Sequence, residues 1–332
     1  MKKIIFFIRK PGINWSIERV YDDISKKISK QFRVEFYKSR FISQGFFKRL
    51  YDTLYASLHQ GDINHITGDI HFLTYFLQSH KTIITIQDCG GLHRLKGIKR
   101  FLYWFFWIWL PIKRCRLIIT SSKFIKKELL LNMSVEPRKI KIIHHPVSNF
   151  FQQSKKVFNT KCPRILSIGQ ETNKNLERHL LALKDLDCEF ILVTTNPNKF
   201  SNYLKKIKIK YSIYSNLSNL DLFKQYQLCD FLLFASLYEG FGLPIIEAQA
   251  VGRAVITSNF GSMKEVAGEA ACLVDPYNVK HIRSGIDKII LNKDYRDNLI
   301  KKGYENVKRF NINKIAKKHT ELYGKILNNK LY

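Results

Sequence analysis

The sequence predicts an α/β protein made of two doubly wound parallel sheets in tandem, and three observations carry that expectation. Short runs rich in Ile, Val, Phe and Leu recur with helix-like stretches between them, the pattern of parallel strands joined by crossover helices. Six such runs fall on each side of a polar stretch at residues 148–161. The 332 residues, 45% of them apolar, suffice for two domains of roughly 150 residues each. A boundary near residue 155 follows, giving domains at 1–155 and 156–310 and a ligand cleft between them.

In the first half the runs predict strands at residues 2–8, 33–37, 62–66, 82–88, 116–120 and 141–145. The first has only the apolar core Ile4-Ile5-Phe6-Phe7-Ile8 before the next basic pair, too short for the h-region of a signal peptide. In the second half strands are expected at 164–169, 188–195, 209–216, 231–236, 254–259 and 271–275. The tail at 311–332 has helical composition and apolar residues at Ile312, Ile315, Leu322, Tyr323, Ile326 and Leu327. It reads as a closing helix that packs back on the first domain.

Lys and Arg number 56 against 27 Asp and Glu, a formal charge of +29, so anionic partners are favoured. Residues 1–150 carry 27 of the basic and 10 of the acidic side chains, a net +17. Six scattered cysteines with no CxxC pair suggest neither zinc site nor disulfide framework, and point to a cytoplasmic protein. The longest apolar run is 101–112, from Phe101 to Ile112, about 18 Å as a helix against a hydrocarbon core of roughly 30 Å, so it cannot span a bilayer. It holds three of the four tryptophans and is bracketed by Lys96, Lys99, Arg100, Lys113, Arg114 and Arg116. A helix apolar all round is normally buried, yet interfacial aromatics with flanking cations also suit the surface of an anionic membrane, here the inner face of the plasma membrane.

The chemistry concentrates at 231–252. Residues 231–235 form a continuous apolar run suited to a central parallel strand, Gly240 and Gly242 permit an unusual backbone path, Pro244 suits the first helical turn, and Gly252 fits its left-handed stop. The main chain from Gly240 through Phe241 and Gly242 to Leu243 makes a loop and helix start suited to a diphosphate. Glu239 falls at the carboxyl end of the strand and Glu247 about one turn into the helix, where each can accept hydrogen bonds from sugar hydroxyls. On spacing alone, Glu247 could equally complement the helix dipole and Glu239 be an ordinary loop carboxylate.

This stretch resembles the E-x7-E signature of the retaining, nucleotide-sugar-dependent family-4 glycosyltransferases of GT-B fold, with Glu239 and Glu247 as its two glutamates. The likeness continues through Gly252-Arg-Ala-Val-Ile-Thr-Ser-Asn-Phe-Gly-Ser-Met-Lys-Glu265-Val-Ala-Gly and Ala271-Cys-Leu-Val-Asp-Pro276. Ile165-Leu-Ser-Ile-Gly-Gln-Glu-Thr-Asn-Lys174-Asn-Leu resembles the family's strand, glycine and Lys-Asn segment. In the first domain Asp62-Ile-Asn-His65-Ile-Thr-Gly-Asp69-Ile-His71, Thr85-Ile-Gln87-Asp88 and Ile118-Ile-Thr-Ser-Ser-Lys-Phe-Ile-Lys-Lys-Glu-Leu129 are similar to stretches of one branch.

The resemblance implies two Rossmann-like domains, a nucleotide-diphosphate sugar as donor, a glycan or lipid-linked glycan as acceptor, and no cofactor or metal. Glu239 would face the donor sugar, Glu247 the ribose, Lys174 the diphosphate and Gln87 a sugar hydroxyl; Gln170 would lie on the donor side, and Leu217 and Leu222 fall at the base by rough position. Gly12, in the loop before Ser16, would help close over phosphates or acceptor. His65, Asp69 and Ser16 would lie on the acceptor side, with Asp88 as a helper for the acceptor proton. Two departures stand out: the family usually has His-Asp where this chain has Gln87-Asp88, and the arginine that often accompanies the lysine is missing.

Other motifs carry less. Asp185-Leu-Asp187 is formally a DxD, but it precedes a strand instead of following one. His144-His145 lacks spaced ligand partners and reads as structural. No GxGxxG and no P-loop is present. Net charge alone admits a nucleic-acid-binding protein, which lacks a reader motif here, and the two-domain scaffold admits a nucleotide-sugar epimerase or phosphorylase-like enzyme.

Overall fold

The structure, a computed structural model, describes residues 1–10, 16–197, 204 and 209–330. Gly12, with the rest of the loop at 11–15, and residues 205–208 of a basic run lie outside the described residues.

The chain divides into two units, Met1–Pro146 with Asn311–Tyr332, and Val147–Phe310. In the first unit the strands are β1 (Lys3–Ile8), β2 (Arg33–Lys38), β3 (Ile63–Ile66), β4 (Thr82–Ile86), β5 (Leu117–Thr120) and β6 (Ile140–Ile142). All pair in parallel in the order β2-β1-β3-β4-β5-β6. The second unit holds β7 (Arg164–Ile168), β8 (Glu189–Thr194), β9 (Lys210–Ser215), β10 (Phe231–Phe234), β11 (Ala254–Ser258) and β12 (Cys272–Val274), again all parallel, in the order β12-β11-β10-β7-β8-β9. Every expected strand is present; most are trimmed by a residue or a few at their ends, while β2 runs on to Lys38 and β6 begins at Ile140. Buried on both faces, the central strands are the continuous apolar runs of the sequence.

Each sheet reverses direction once: β1 is followed by β2 on one side and β3 on the other, and β7 by β8 on one side and β10 on the other. β7 and β10 share only the pairs Phe231↔Ile165 and Leu232↔Leu166, whereas β7 and β8 stay paired over five residues. The strands on either side of the reversal therefore diverge towards their carboxyl ends, which opens the crevice where such sheets take ligands.

The polar stretch expected to mark the boundary belongs wholly to the second unit. Phe151, 4% exposed, packs edge-on to Tyr226 at 5.3 Å, Ser154 N–H donates to Val251 O, and Lys156 pairs with the buried Asp230 at 2.6 Å. The division at Pro146/Val147 thus precedes the expected residue 155.

The helix Ile312–Leu327 completes the core of the first unit. Its Tyr323 hydroxyl lies 2.7 Å from His65 Nδ1, while His65 Nε2 lies 2.7 Å from Thr85 Oγ1, which also meets the Tyr21 hydroxyl at 2.8 Å. Burial keeps three histidines neutral here: His145 and His319 are pushed down to about 3 and His65 well below its ordinary value, with His319 adding to the effect on the other two. In the unfolded chain they titrate near 6.5, so below that pH the unfolded state binds more protons. Their contribution to stability is complete above pH about 6.5 and is lost as the pH falls towards the folded values. Urea unfolding at pH 7, 6 and 5 is expected to show stability falling by up to about 1.4 kcal/mol per pH unit for each histidine; a flat profile over that interval would contradict the assignment.

Candidate functional site

The crevice side of the second unit is made by the chain leaving β7 and the chain leaving β10. Gly169, at φ +94°, turns the first away from its strand. A Cβ there would come within 2.6 Å of Lys174 Cε, so the missing side chain is what lets the lysine stem lie against the main chain. Asn173 then joins the two segments: its carbonyl accepts from Leu237 N–H at 2.7 Å and its Nδ2 donates to Tyr238 O at 2.8 Å. Asn175 takes the left-handed conformation at φ +61° and, buried, donates to Ala235 O and Pro276 O.

This stitching sets Lys174 Nζ 2.7 Å from Glu239 Oε1, with both side chains largely covered, at 19% and 13% exposure. The ammonium also stands 5.1 Å from the centre of the Phe234 ring. Behind it, Ser262 Oγ donates to Glu239 O at 2.6 Å, and Ser258 Oγ to Ser236 O at 2.5 Å. Gly242, at φ +106°, caps the helix Leu243–Val251, Pro244 sits in its first turn, and Gly252 at φ +85° ends it. Phe241 and Leu243 have buried side chains, Phe241 edge-on to Phe310 at 5.6 Å. Glu247 is 3% exposed, and Oε2 accepts from the fully buried Tyr226 hydroxyl at 2.7 Å. Gln170 is tied to Thr194 and Thr195 at the end of β8. Leu217 and Leu222 are half-buried just before and within the helix Asn219–Leu228.

In the first unit Gln87 and Asp88 follow β4. Gln87 Nε2 donates to Thr67 O at 2.9 Å and its Oε1 accepts from His145 Nε2 at 2.7 Å, which fixes the amide. Sequence reasoning missed this role of His145; the signal was its place just past β6, on the same edge of the sheet as Gln87. Asp88 is exposed and accepts from Gly90 N–H. Asp69 and Ser16 are exposed too. His65 does not share that surface. It is 0% exposed with both ring nitrogens engaged inside the core, because Tyr323 and Thr85 close over it.

Among the described residues no group of three or more His, Cys, Asp or Glu side chains could hold a metal ion. Asp185 occupies a left-handed turn before β8 and Asp187 is 70% exposed beside Lys210. Gly169→Ala is expected to lower stability by about 1–2 kcal/mol through its positive φ, and to displace Lys174 from Glu239. Urea unfolding of the full chain reads this; an unchanged midpoint would contradict it.

A family model described as glycosyl transferases group 1 matches residues 148–306, nearly the whole second unit. The chain is 38% identical over 79 residues, 24% of its length, to the serotype-specific mannosyltransferase WbdA of Escherichia coli, and those residues span 10% of that protein. It is 25% identical over 216 residues to the O-antigen chain mannosyltransferase RfbU of Salmonella typhimurium, covering 62% of this chain and 60% of that one. Among solved structures, Anabaena Alr3699/HepE in complex with UDP and glucose superposes with a TM-score of 0.77 at 13% identity, over 98% of this chain and 100% of that one. The chain thus spans about a tenth of the WbdA proteins. Residues 148–306 match the glycosyl transferases group 1 model, and the two parallel sheets carry the GT-B fold.

Proposed function

We propose that the protein transfers a sugar from a nucleotide-diphosphate donor to a hydroxyl of a glycan or lipid-linked glycan acceptor, retaining the anomeric configuration and using no metal. The observation that carries this reading is the Lys174–Glu239 pair at the split between β7 and β10, where open α/β sheets take nucleotides. The family match of residues 148–306, the UDP and glucose of the Anabaena complex, and the mannosyl transfer named for WbdA and RfbU support it.

In this reading the bond between the anomeric carbon and the diphosphate breaks while the acceptor oxygen bonds to the same face of that carbon, and the acceptor proton passes to a leaving phosphate oxygen. Negative charge grows on the diphosphate, so the Lys174 ammonium and the start of the helix Leu243–Val251 are worth most in the transition state. Glu239 neutralises Lys174 in the free protein and faces the donor sugar when the diphosphate draws the ammonium away. Glu247, held by Tyr226, takes the ribose, and Gln170, Leu217 and Leu222 border the nucleotide. In the first unit Gln87, oriented by Thr67 and His145, meets a sugar hydroxyl, Asp88 assists the acceptor proton, and Asp69 and Ser16 lie on the acceptor side.

Lys174→Met is expected to weaken UDP binding about 10- to 100-fold in calorimetry, the worth of a charge-assisted hydrogen bond. Glu239→Gln is expected to lower kcat/KM about 10²- to 10³-fold, with EDTA leaving the parent rate unchanged and NMR showing an unchanged anomeric configuration. UDP binding and turnover at parental values in both variants would remove the site.

The acceptor side also carries a membrane reading. No helix of the described residues is long and apolar enough to cross a bilayer. Of residues 101–112 only Ile108, Pro111 and Ile112 are buried, so the aromatic segment is neither a core helix nor fully apart from the core. Ile98, Phe101, Leu102 and Phe106 are 69%, 53%, 44% and 41% exposed, and on the helix Phe46–Ser57 Phe46, Phe47 and Leu54 are 70%, 82% and 49% exposed. With Lys48, Lys96, Lys99 and Arg100 beside them, these faces suit an anionic bilayer surface. Cosedimentation with anionic but not neutral vesicles, reduced in Phe47→Asp with Ile98→Asp, is the expected outcome; equal pelleting of parent and variant would exclude these faces.

A further inference from the structure

The helix Phe46–Ser57, the short helix His71–Tyr75 and the aromatic segment flank an open groove of about 680 Å³ in the first unit. We infer that it holds the hydrocarbon chain of a lipid-phosphate acceptor, so that the protein glycosylates a molecule whose aglycone is bound in the first unit and not only dissolved in the bilayer beside it. This rests on the transfer reaction proposed above and names its substrate class.

The lining is mostly apolar: Leu50, Phe72, Tyr75, Leu102, Phe106 and Trp107 form its walls. A local irregularity shapes it. Residues Trp104–Trp109 form a π-helical turn, and Pro111 has no N–H for the carbonyl of Trp107. His71 Nδ1 lies 3.2 Å from that carbonyl, and the Tyr75 hydroxyl donates to Phe106 O, so side chains from the short helix His71–Tyr75 take up the irregular carbonyls and hold the aromatic turn open over the groove. The walls continue into the exposed faces of the helix Phe46–Ser57 and the aromatic segment, which gives a chain a route in from an apolar phase.

The rim supplies the charge that selects the ligand. Arg49 stacks over the Trp107 ring with Cζ at 4.3 Å from its centre and donates from Nη2 to Ser43 O. Lys99 lines the same opening. Among the described residues neither cation has a carboxylate partner, so a phosphate joined to the chain would meet two uncompensated charges at the mouth. Asp69 also lines the rim, where Arg9 Nη1 at 3.9 Å offsets its charge. A neutral fatty chain would leave both cations unused, and a free sugar phosphate would leave the apolar walls unfilled.

The test titrates the full-length protein by calorimetry with octyl, decyl, dodecyl and tetradecyl phosphate below their critical micelle concentrations, with inorganic phosphate, dodecanol and UDP in parallel. The expected result is saturable 1:1 binding of the alkyl phosphates. Affinity should rise about fourfold per added methylene and then level off when the groove is full. Inorganic phosphate should not bind, and dodecanol should bind at least tenfold more weakly than dodecyl phosphate. Ser43→Trp, which narrows the groove, and Lys99→Glu, which inverts the rim, should each weaken dodecyl phosphate at least tenfold, whereas Leu291→Asp, on the exposed surface of the second unit, should not. The chain-length series needs no variant and decides the matter if Ser43→Trp does not fold. Affinity that climbs with chain length without levelling would mean partition into an apolar surface and would overturn the inference. So would absence of alkyl phosphate binding, whatever UDP does; if UDP binds in that case the transfer reaction stands without the lipid site. Alkyl phosphate binding with no UDP binding would overturn the assignment of the chain as an acceptor's tail.

Discussion

The ion pair between Lys174 and Glu239 is the contact on which the second unit's chemistry depends. It joins segments 65 residues apart in the chain, and it exists because β7 and β10 separate after two paired residues. Each structural peculiarity nearby serves that contact. Gly169 leaves room for the lysine stem, Asn173 binds one segment to the other, Asn175 anchors the turn beneath, and Ser262 holds the carbonyl of Glu239. A largely covered pair of this kind adds little to stability, because desolvation offsets much of the attraction. Its worth lies in keeping a cation next to the crevice, its charge balanced by Glu239 until a stronger anion arrives.

The sequence carried the sheets well and the long-range polar contacts poorly. Strands β4, β5, β10 and β11 are fully buried, so they hold only apolar residues, Thr and Ser, with no charge, and are easily read. The Gly-rich segment after β10 was legible because positive-φ positions demand glycine, and Gly242 and Gly252 both have them. By contrast, His65 resembled a surface residue of a short motif, and nothing local announced that Tyr323, 258 residues later, would cover it. His145 and Gln87 meet across 58 residues for the same reason. Phe151 sat in a polar stretch that read as a linker, yet one buried ring stitched the stretch to the second unit.

The aromatic segment shows why composition alone could not settle burial. A helix apolar on every side was expected either to vanish into the core or to lie on a membrane, and it does part of each. Ile108 and Ile112 reach the core, while Phe101, Leu102 and Phe106 remain exposed. The helix Phe46–Ser57 gave no such signal, since its apolar residues are interrupted by Lys48, Arg49 and Asp52. Only folding sets it beside the aromatic turn, with Arg49 over Trp107. In physical terms the two units divide the labour: the second offers fixed charge and main chain to an anion, the first offers apolar surface and cations to a lipid phosphate.

The most direct measurement of the central claim is amide hydrogen exchange of the full chain with and without UDP. The account predicts that UDP slows exchange in two separated segments together, 169–175 and 239–247, with little change along β8 and β9. Protection confined to other segments, or none at saturating UDP, would contradict it.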